Sequence, residues 1–326
     1  MSKHHLSIQF WGVRGSLPAS PAPAAWKRHI SSVLKDYSDQ HLKSKVTVDE
    51  FMEQKSVPQV AGYGAATTCV EVVSERSRLI LDGGSGIRSL SEQIMRGNHG
   101  TMKGPHHILM THFHWDHVIG LPFFSPHFVP GAEIHYYAVQ TELPDLIRGI
   151  FQKPYFPVPF DKLPSKIHFH ILEPRVKFQI DDLEIAPYKL DHPDPCWGYR
   201  ISSGGKSYAH CVDTEGTRVT TKDLGADLPL YQNADLMYFD AQYTLPELAE
   251  KANWGHSASQ VGLDIAMREK IKHVLFAHHD PGASLDDINN LRDQTNEYHS
   301  WLESQQRAGK HQITWDFAYE GMIVQL

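Results

Sequence analysis

The stretch THFHWDHVIG, residues 111–120, sets His112, His114, Asp116 and His117 within six positions, directly behind the apolar run Ile108, Leu109 and Met110. A short apolar run of this kind reads as a buried strand. In an extended chain the side chains at i and i+2 share a face, so His112 and His114 can converge on one ion at the roughly 2.0–2.1 Å of a zinc–imidazole bond. Asp116 and His117 come one step later, where the chain must turn, and are therefore placed to face a neighbouring ion. A chance cluster in a chain with 22 histidines would explain neither the strand before it nor Gly120 after it. Position, and not number, selects these residues.

Working outward, strand-like segments fall at 6–13, 68–74, 78–82, 106–111, 132–139, 166–172, 178–190, 197–203, 206–212 and 235–241. Helical patterns occupy 86–97, 141–151, 257–270 behind the N-cap candidate Ser257, and 285–306 behind Ser284 with Asp286 and Asp287 in its first turn. The closing ITWDFAYEGMIVQL returns to strand. Strand meanders interrupted by helices predict two sheets packed face to face with helices outside, a four-layer αββα sandwich of the α/β class, in place of a doubly wound parallel sheet. Residues 19–60, proline-bearing with a helical middle, read as an insertion or flap on a single domain spanning 1–326.

Composition narrows the function classes. A formal charge of −7 opposes general affinity for phosphate backbones, so large nucleic acids are disfavoured as partners. Cys69, Cys196 and Cys211 are odd in number and form no CxxC pair, which points away from a disulfide framework and toward a reducing compartment. The N-terminus carries no long apolar leader core, and no window approaches the roughly 20 apolar residues of a membrane span. The expectation is a cytoplasmic protein that does not enter a membrane. GGSG at 83–86 lacks the GK[ST] ending of a phosphate loop and is discarded as one.

THFHWDH resembles the signature of the metallo-β-lactamase superfamily of binuclear metallohydrolases, and further motifs follow in that family's order. The resemblance implies a third histidine, His192 in KLDHPD, a bridging aspartate, Asp213 in AHCVDTE, and a last ligand in HVLFAHHDP. Aligned on strand ends that ligand is His278, with His279 as the alternative. Asp82 in LILDGGSG falls where the family keeps a carboxylate that orients ligand histidines. The implied site holds two Zn2+, with Mn2+ as an alternative. His112, His114 and His192 serve one ion, Asp116, His117 and His278 the other, and Asp213 bridges them. Water shared by such ions is acidified toward a pKa of about 7 and becomes the nucleophile.

Differences within the superfamily narrow the substrate. β-Lactamases of this fold often carry a cysteine in the second metal site, where this chain has Asp213, and the di-iron oxidoreductases replace the second histidine of the motif, intact here as His114. GHSASQ is similar to the GHST-type segment of ribonuclease Z and its phosphodiesterase relatives, which implies His256 as the proton donor to the leaving group and Asp240, in FDAQYT, as the residue orienting it. Ribonuclease Z grips transfer RNA with a long glycine-rich arm. This chain instead shows FQKPYFPVPFDKLP, and with WGVRGS and HWDHVIGLPFF it is more similar to bacterial and phage cyclic-nucleotide phosphodiesterases. The implied activity is hydrolysis of a small phosphodiester, foremost 3′,5′-cyclic nucleotides to 5′-monophosphates, by a homodimer. An RNA 3′-end endonuclease and a thioester or lactone hydrolase are the alternatives. Tyr155, Phe156, Phe123 and Phe124 are candidates to stack on a base, or else to pack locally. Arg14 stands either near the phosphate or in a structural turn.

Overall fold

The computed structural model of the protein describes residues 6–97, 104–305 and 312–326. The first residues of the chain, 1–5, and the final position of the helix expected to end at 306 lie outside them. The first sheet takes β1 (Ser7–Gly12), β2 (Cys69–Val73), β3 (Arg78–Leu81), β4 (His106–Leu109), β5 (Glu133–Ala138) and β6 (Lys166–Ile171) in sequence order. The second takes β7 (Phe178–Ile180), β8 (Leu183–Lys189), β9 (Trp197–Ser203), β10 (Lys206–Cys211), β11 (Leu236–Asp240), β12 (His273–Ala277) and β13 (Thr314–Phe317). The last strand, β14 (Ile323–Gln325), returns to the first sheet beside β1.

Three apolar layers follow from the period-2 alternation of the strands. On β11, Leu236 and Tyr238 point between the sheets, while Met237 and Phe239 point outward to the helices. On β4, Leu109 faces the other sheet and Ile108 the outer helices. Outside the first sheet lie α4 (Ile87–Met95), the short α5 (Trp115–Val118) and α6 (Leu143–Ile150). Outside the second lie α9 (Ser259–Glu269) and α10 (Leu285–Gln305), whose Leu263, Ala266, Ile288 and Leu291 complete its outer core. The order is helix, sheet, sheet, helix, as the strand and helix pattern predicts.

Segment 19–60 contains α1 (Pro23–Ser44), α2 (Val48–Glu53) and the start of α3 (Val57–Ala61). α1 buries none of its residues, and within the arm the buried Phe51 of α2 packs edge-on against Tyr37 of α1 at 5.4 Å. Three sequence expectations are corrected. Residues 178–190 form a hairpin and not one strand, because Asp181 adopts φ 50° and turns the chain. The closing segment is two strands in different sheets, so it ties the sandwich together. The helix expected from Ser257 begins at Ser259, because Ala258 is extended (φ −120°, ψ 152°) and stands at its N-cap, while the Ser257 amide donates to Asp240 Oδ1 at 3.2 Å.

β3, β4 and β5 run parallel to one another, as do β10, β11 and β12. The carboxyl ends of both parallel groups open on one rim, the usual place for a ligand in open α/β sheets. Three residues just past strand ends there, Asp82, Asp213 and His278, have φ of 59°, 59° and 62°. Left-handed backbone at non-glycine residues costs on the order of 1–3 kcal/mol each and persists where the surroundings impose it.

Candidate active site

The rim gathers the residues singled out by sequence. The ligand atoms of His112, His114, His192 and Asp213 lie within 4.8 Å of one another, and so do those of Asp116, His117, Asp213 and His278. Asp213 belongs to both groups. Its Oδ2 is 3.0 Å from His112 Nε2 and 2.9 Å from His117 Nε2, and its Oδ1 is 2.7 Å from His278 Nε2. Asp116 Oδ2 approaches His278 Nε2 at 3.1 Å and His117 Nε2 at 3.4 Å. His112 and His114 leave the end of β4 in extended conformation with ring centres 4.5 Å apart, and α5 then turns Asp116 and His117 into the second group. His279 points away, with Nε2–H donating to the Ala318 carbonyl oxygen at 2.9 Å and its ring stacked on Phe317.

The outer faces of these rings are pinned. His117 Nδ1–H donates to Asp82 Oδ2 at 2.9 Å, and Asp82 also accepts the Thr111 amide at 2.8 Å and its hydroxyl at 2.9 Å. His278 Nδ1–H donates to Gln242 Oε1 at 2.9 Å. The Ser16 amide, from the WGVRGS turn, donates to Asp116 Oδ2 at 2.8 Å. Asp194 holds two ligand candidates, accepting from His114 Nε2–H at 2.8 Å while its carbonyl oxygen lies 3.1 Å from His192 Nδ1. Two glycines permit the close packing. A Cβ at Gly15 would stand 2.4 Å from His278 Nδ1, and one at Gly255, where φ is +86°, would stand 2.3 Å from His192 Cδ2.

This donor set fits divalent metal. With Nδ1–H fixed outward, the Nε2 lone pairs of neutral His117 and His278 point at carboxylate oxygens. That arrangement is repulsive unless a cation lies between them. His112 Nε2, His117 Nε2 and Asp213 Oδ1 are buried and make no hydrogen bond, the signature of groups committed to another partner. In the metal-free protein, protons take the cation's role. Burial pushes the His278 imidazole down, but Asp213 and Asp116 outweigh it and raise its pKa to about 10. His117 is likewise raised well above the usual imidazole range despite burial, by Asp116, Asp213 and Asp82. His112 goes the other way, to about 4, through burial and the neighbouring His117.

A third group, Asp213, Asp240, His256 and His278, adjoins the first two. His256 Nδ1–H donates to Asp240 Oδ2 at 2.9 Å and lies 4.0 Å from Asp213 Oδ1. Asp240 also accepts the amides of Asp213, Gln242 and Ser257, which fixes its carboxylate. In front of the cluster is a cavity of about 330 Å³ lined by Ser16, Phe113, His114, Trp115, Asp116, Asp213 and His256.

Several expectations resolve differently. Arg14 is a structural residue, buried with its guanidinium donating to the carbonyl oxygens of Gly64, Asp280 and Ala283. Phe124 is fully buried in the outer core and presents no face to a ligand, whereas Phe123 and Tyr155 are exposed, and Phe156 packs edge-on against Phe123. Cys211, two residues before Asp213, packs in the core outside the second sheet. The cysteine beside the cluster is Cys196, with Sγ 3.7 Å from His112 Nδ1. Thr111, Asp194, Cys196 and Gln242 were not anticipated. Asp194 was within reach, since KLDHPD places it two residues after His192.

The family model described as the Beta-lactamase superfamily domain matches residues 77–279, and the chain belongs to that family. It is a metal-dependent hydrolase of the metallo-β-lactamase fold. It is similar to the ribonuclease Z of Streptococcus suis (strain 98HAH33), 27% identical over 239 residues covering 57% of this chain and 74% of that one. Among solved structures it is similar to the metallo-beta-lactamase fold protein YhfI from Bacillus subtilis, with TM-score 0.60 and 15% identity over 99% of this chain and 100% of the other. Unliganded yeast PDE1 aligns with TM-score 0.60 and 13% identity over 99% and 100% of the two chains. At these identities the structural matches speak to the fold alone.

Proposed function

We propose that the protein is a binuclear phosphodiesterase acting on small diesters, foremost 3′,5′-cyclic nucleotides, which it converts to 5′-monophosphates. The observation that carries this reading is the position of Asp213, within 3.0 Å of His112, His117 and His278 and 4.0 Å from His256. His112, His114, His192 and Asp213 would hold one zinc ion, and Asp116, His117, Asp213 and His278 the second, with manganese as the alternative metal. Bound there, the ions supply a nucleophile from acidified water and neutralise charge developing on the attacked phosphate. His256 gives its Nε2 proton to the leaving oxygen, while Asp240 at Nδ1 fixes the tautomer and ring orientation. Ser16, Asp82, Asp194 and Gln242 keep the ligand side chains aimed. A cavity of about 330 Å³ matches a small diester in size.

The protein is read further as one domain over 1–326, with 19–60 an insertion on it, and as a cytoplasmic homodimer. Among the described residues no helix is long and apolar enough to cross a membrane. The second reading, an RNA 3′-end endonuclease, draws on the ribonuclease Z likeness, which counterweighs the argument from net charge of −7. Side-by-side kcat/KM values for cyclic nucleotides and precursor transfer RNA test the choice. Preference for the cyclic diesters supports the proposal, and efficient 3′-end cleavage without cyclic-nucleotide turnover overturns it.

A further inference from the structure

A second collection of histidines lies apart from the groups around Asp213, on β4, β5 and β6 at the edge of the first sheet. The strand register pairs His107 with His135 and His135 with His168, so three imidazoles stand in one lateral row. His170, two residues beyond His168 on β6, points to the same face beside Tyr137, whose ring it stacks on at 4.4 Å. Adjacent strands are spaced about 4.8 Å apart, which forces such rows of side chains into contact. The His135 ring is 4.5 Å from His168 and 5.1 Å from His170, and its plane is nearly parallel to that of the latter, at 14°.

The atoms matter more than the rings. His135 Nδ1 and His170 Nε2 are 2.8 Å apart. Two imidazole nitrogens at that distance share either a proton or a cation. Bonds of about 2.0–2.1 Å to one ion place cis nitrogens about 2.9 Å apart at a right angle and about 3.3 Å apart in a tetrahedron. The observed separation is close to the right-angle value and shorter than the tetrahedral one, so an ion would replace the shared proton once the two rings turn apart slightly. His168 is solvent-exposed at the outer strand, where side-chain rotation can bring it to the same ion. His107 is engaged elsewhere, its Nδ1 2.9 Å from the Tyr137 hydroxyl oxygen.

We propose that His135 and His170, completed by His168, form a second metal site for a borderline divalent cation such as Zn2+, distinct from the catalytic cluster. Imidazole donors without carboxylate select Zn2+, Cu2+ or Ni2+ over Mg2+ and Ca2+. Its consequence is mechanical: the ion links edge strand β6 to its neighbour β5 by side chains in addition to the ladder.

The test uses zinc-loaded full-length protein, desalted and assayed for metal per chain, against a His135→Gln/His170→Gln variant. The expected result is one zinc fewer in the variant, with diester hydrolysis within about twofold of the parent. Equal zinc content in a folded variant overturns the proposal and leaves the row as packing only. Because the double variant can fail to fold, zinc-edge anomalous diffraction from wild-type crystals provides a readout that needs no substitution. A peak between His135 and His170 is expected, and density confined to the Asp213 cluster overturns the site.

Discussion

The two ligand groups around Asp213 share a carboxylate yet differ in their surroundings. Asp116, His117 and His278 are sealed, with side chains at 5%, 0% and 1% exposure, and their outer atoms are held by buried or main-chain partners. His114 is 46% exposed, and the Asp194 carboxylate that positions it is 67% exposed. The sealed group is built before any ligand arrives. Within the open group His112 is as buried as the sealed residues and meets Thr111 Oγ1 at 3.1 Å, so the openness lies at His114 and its partner Asp194, and the cavity is lined by His114 together with Asp116 and Asp213. Buried charge of this kind tolerates no vacancy, whereas the exposed half can yield to solvent. The difference puts the solvent-exposed position at His114, while Asp116 and Asp213 meet the same cavity from the buried side.

Substitutions on the two sides test this contrast. Asp213→Ala, which disrupts both halves, is expected to abolish diester hydrolysis by more than the roughly 10²–10⁴-fold that a proton donor contributes, with metal content falling in parallel. Steady-state kinetics with metal analysis checks it. His256→Gln leaves both ligand groups whole and should lower kcat about 100-fold or more for alkoxide leaving groups, and far less for p-nitrophenolate, which needs no proton. Asp82→Asn on the sealed side should weaken metal affinity about 10–100-fold, the usual effect of losing an orienting partner. Asp194→Asn on the open side should fall below that range, because water can replace an exposed acceptor. Competition with a chromogenic chelator measures both, and equal losses at the two positions would dissolve the contrast. The smallest effect is kinetic: chelation of the wild type should proceed in two phases, the faster belonging to the open group.

Much of this site was legible because the family spacing of HxHxDH, His192, Asp213 and His278 follows the chain, each just past a strand whose apolar run is easy to see. His256 and Asp240 were picked out instead by the likeness of GHSASQ and the FDAQYT segment. What the sequence hid is relational. Asp194 meets His114 across 80 positions, and Gln242 meets His278 across 36, and no local pattern marks either pairing. The left-handed backbone at Asp82, Asp213 and His278 was equally invisible, since no glycine announces it. The β7–β8 hairpin was missed because Asp181 and Asp182 read as polar positions within an alternating strand. The imidazole row on β4–β6 depends on strand register, which a single segment does not encode.

The central claim is metal-dependent hydrolysis of a phosphodiester at the Asp213 cluster. The most direct measurement is mass analysis of the products of 3′,5′-cyclic nucleotides incubated with metal-loaded protein in heavy-oxygen water, with Asp213→Ala in parallel. 5′-Monophosphates carrying one heavy oxygen on phosphorus are expected, formed only by the metal-loaded parent. Label-free product, turnover that persists in Asp213→Ala, or no turnover of any cyclic nucleotide would contradict it.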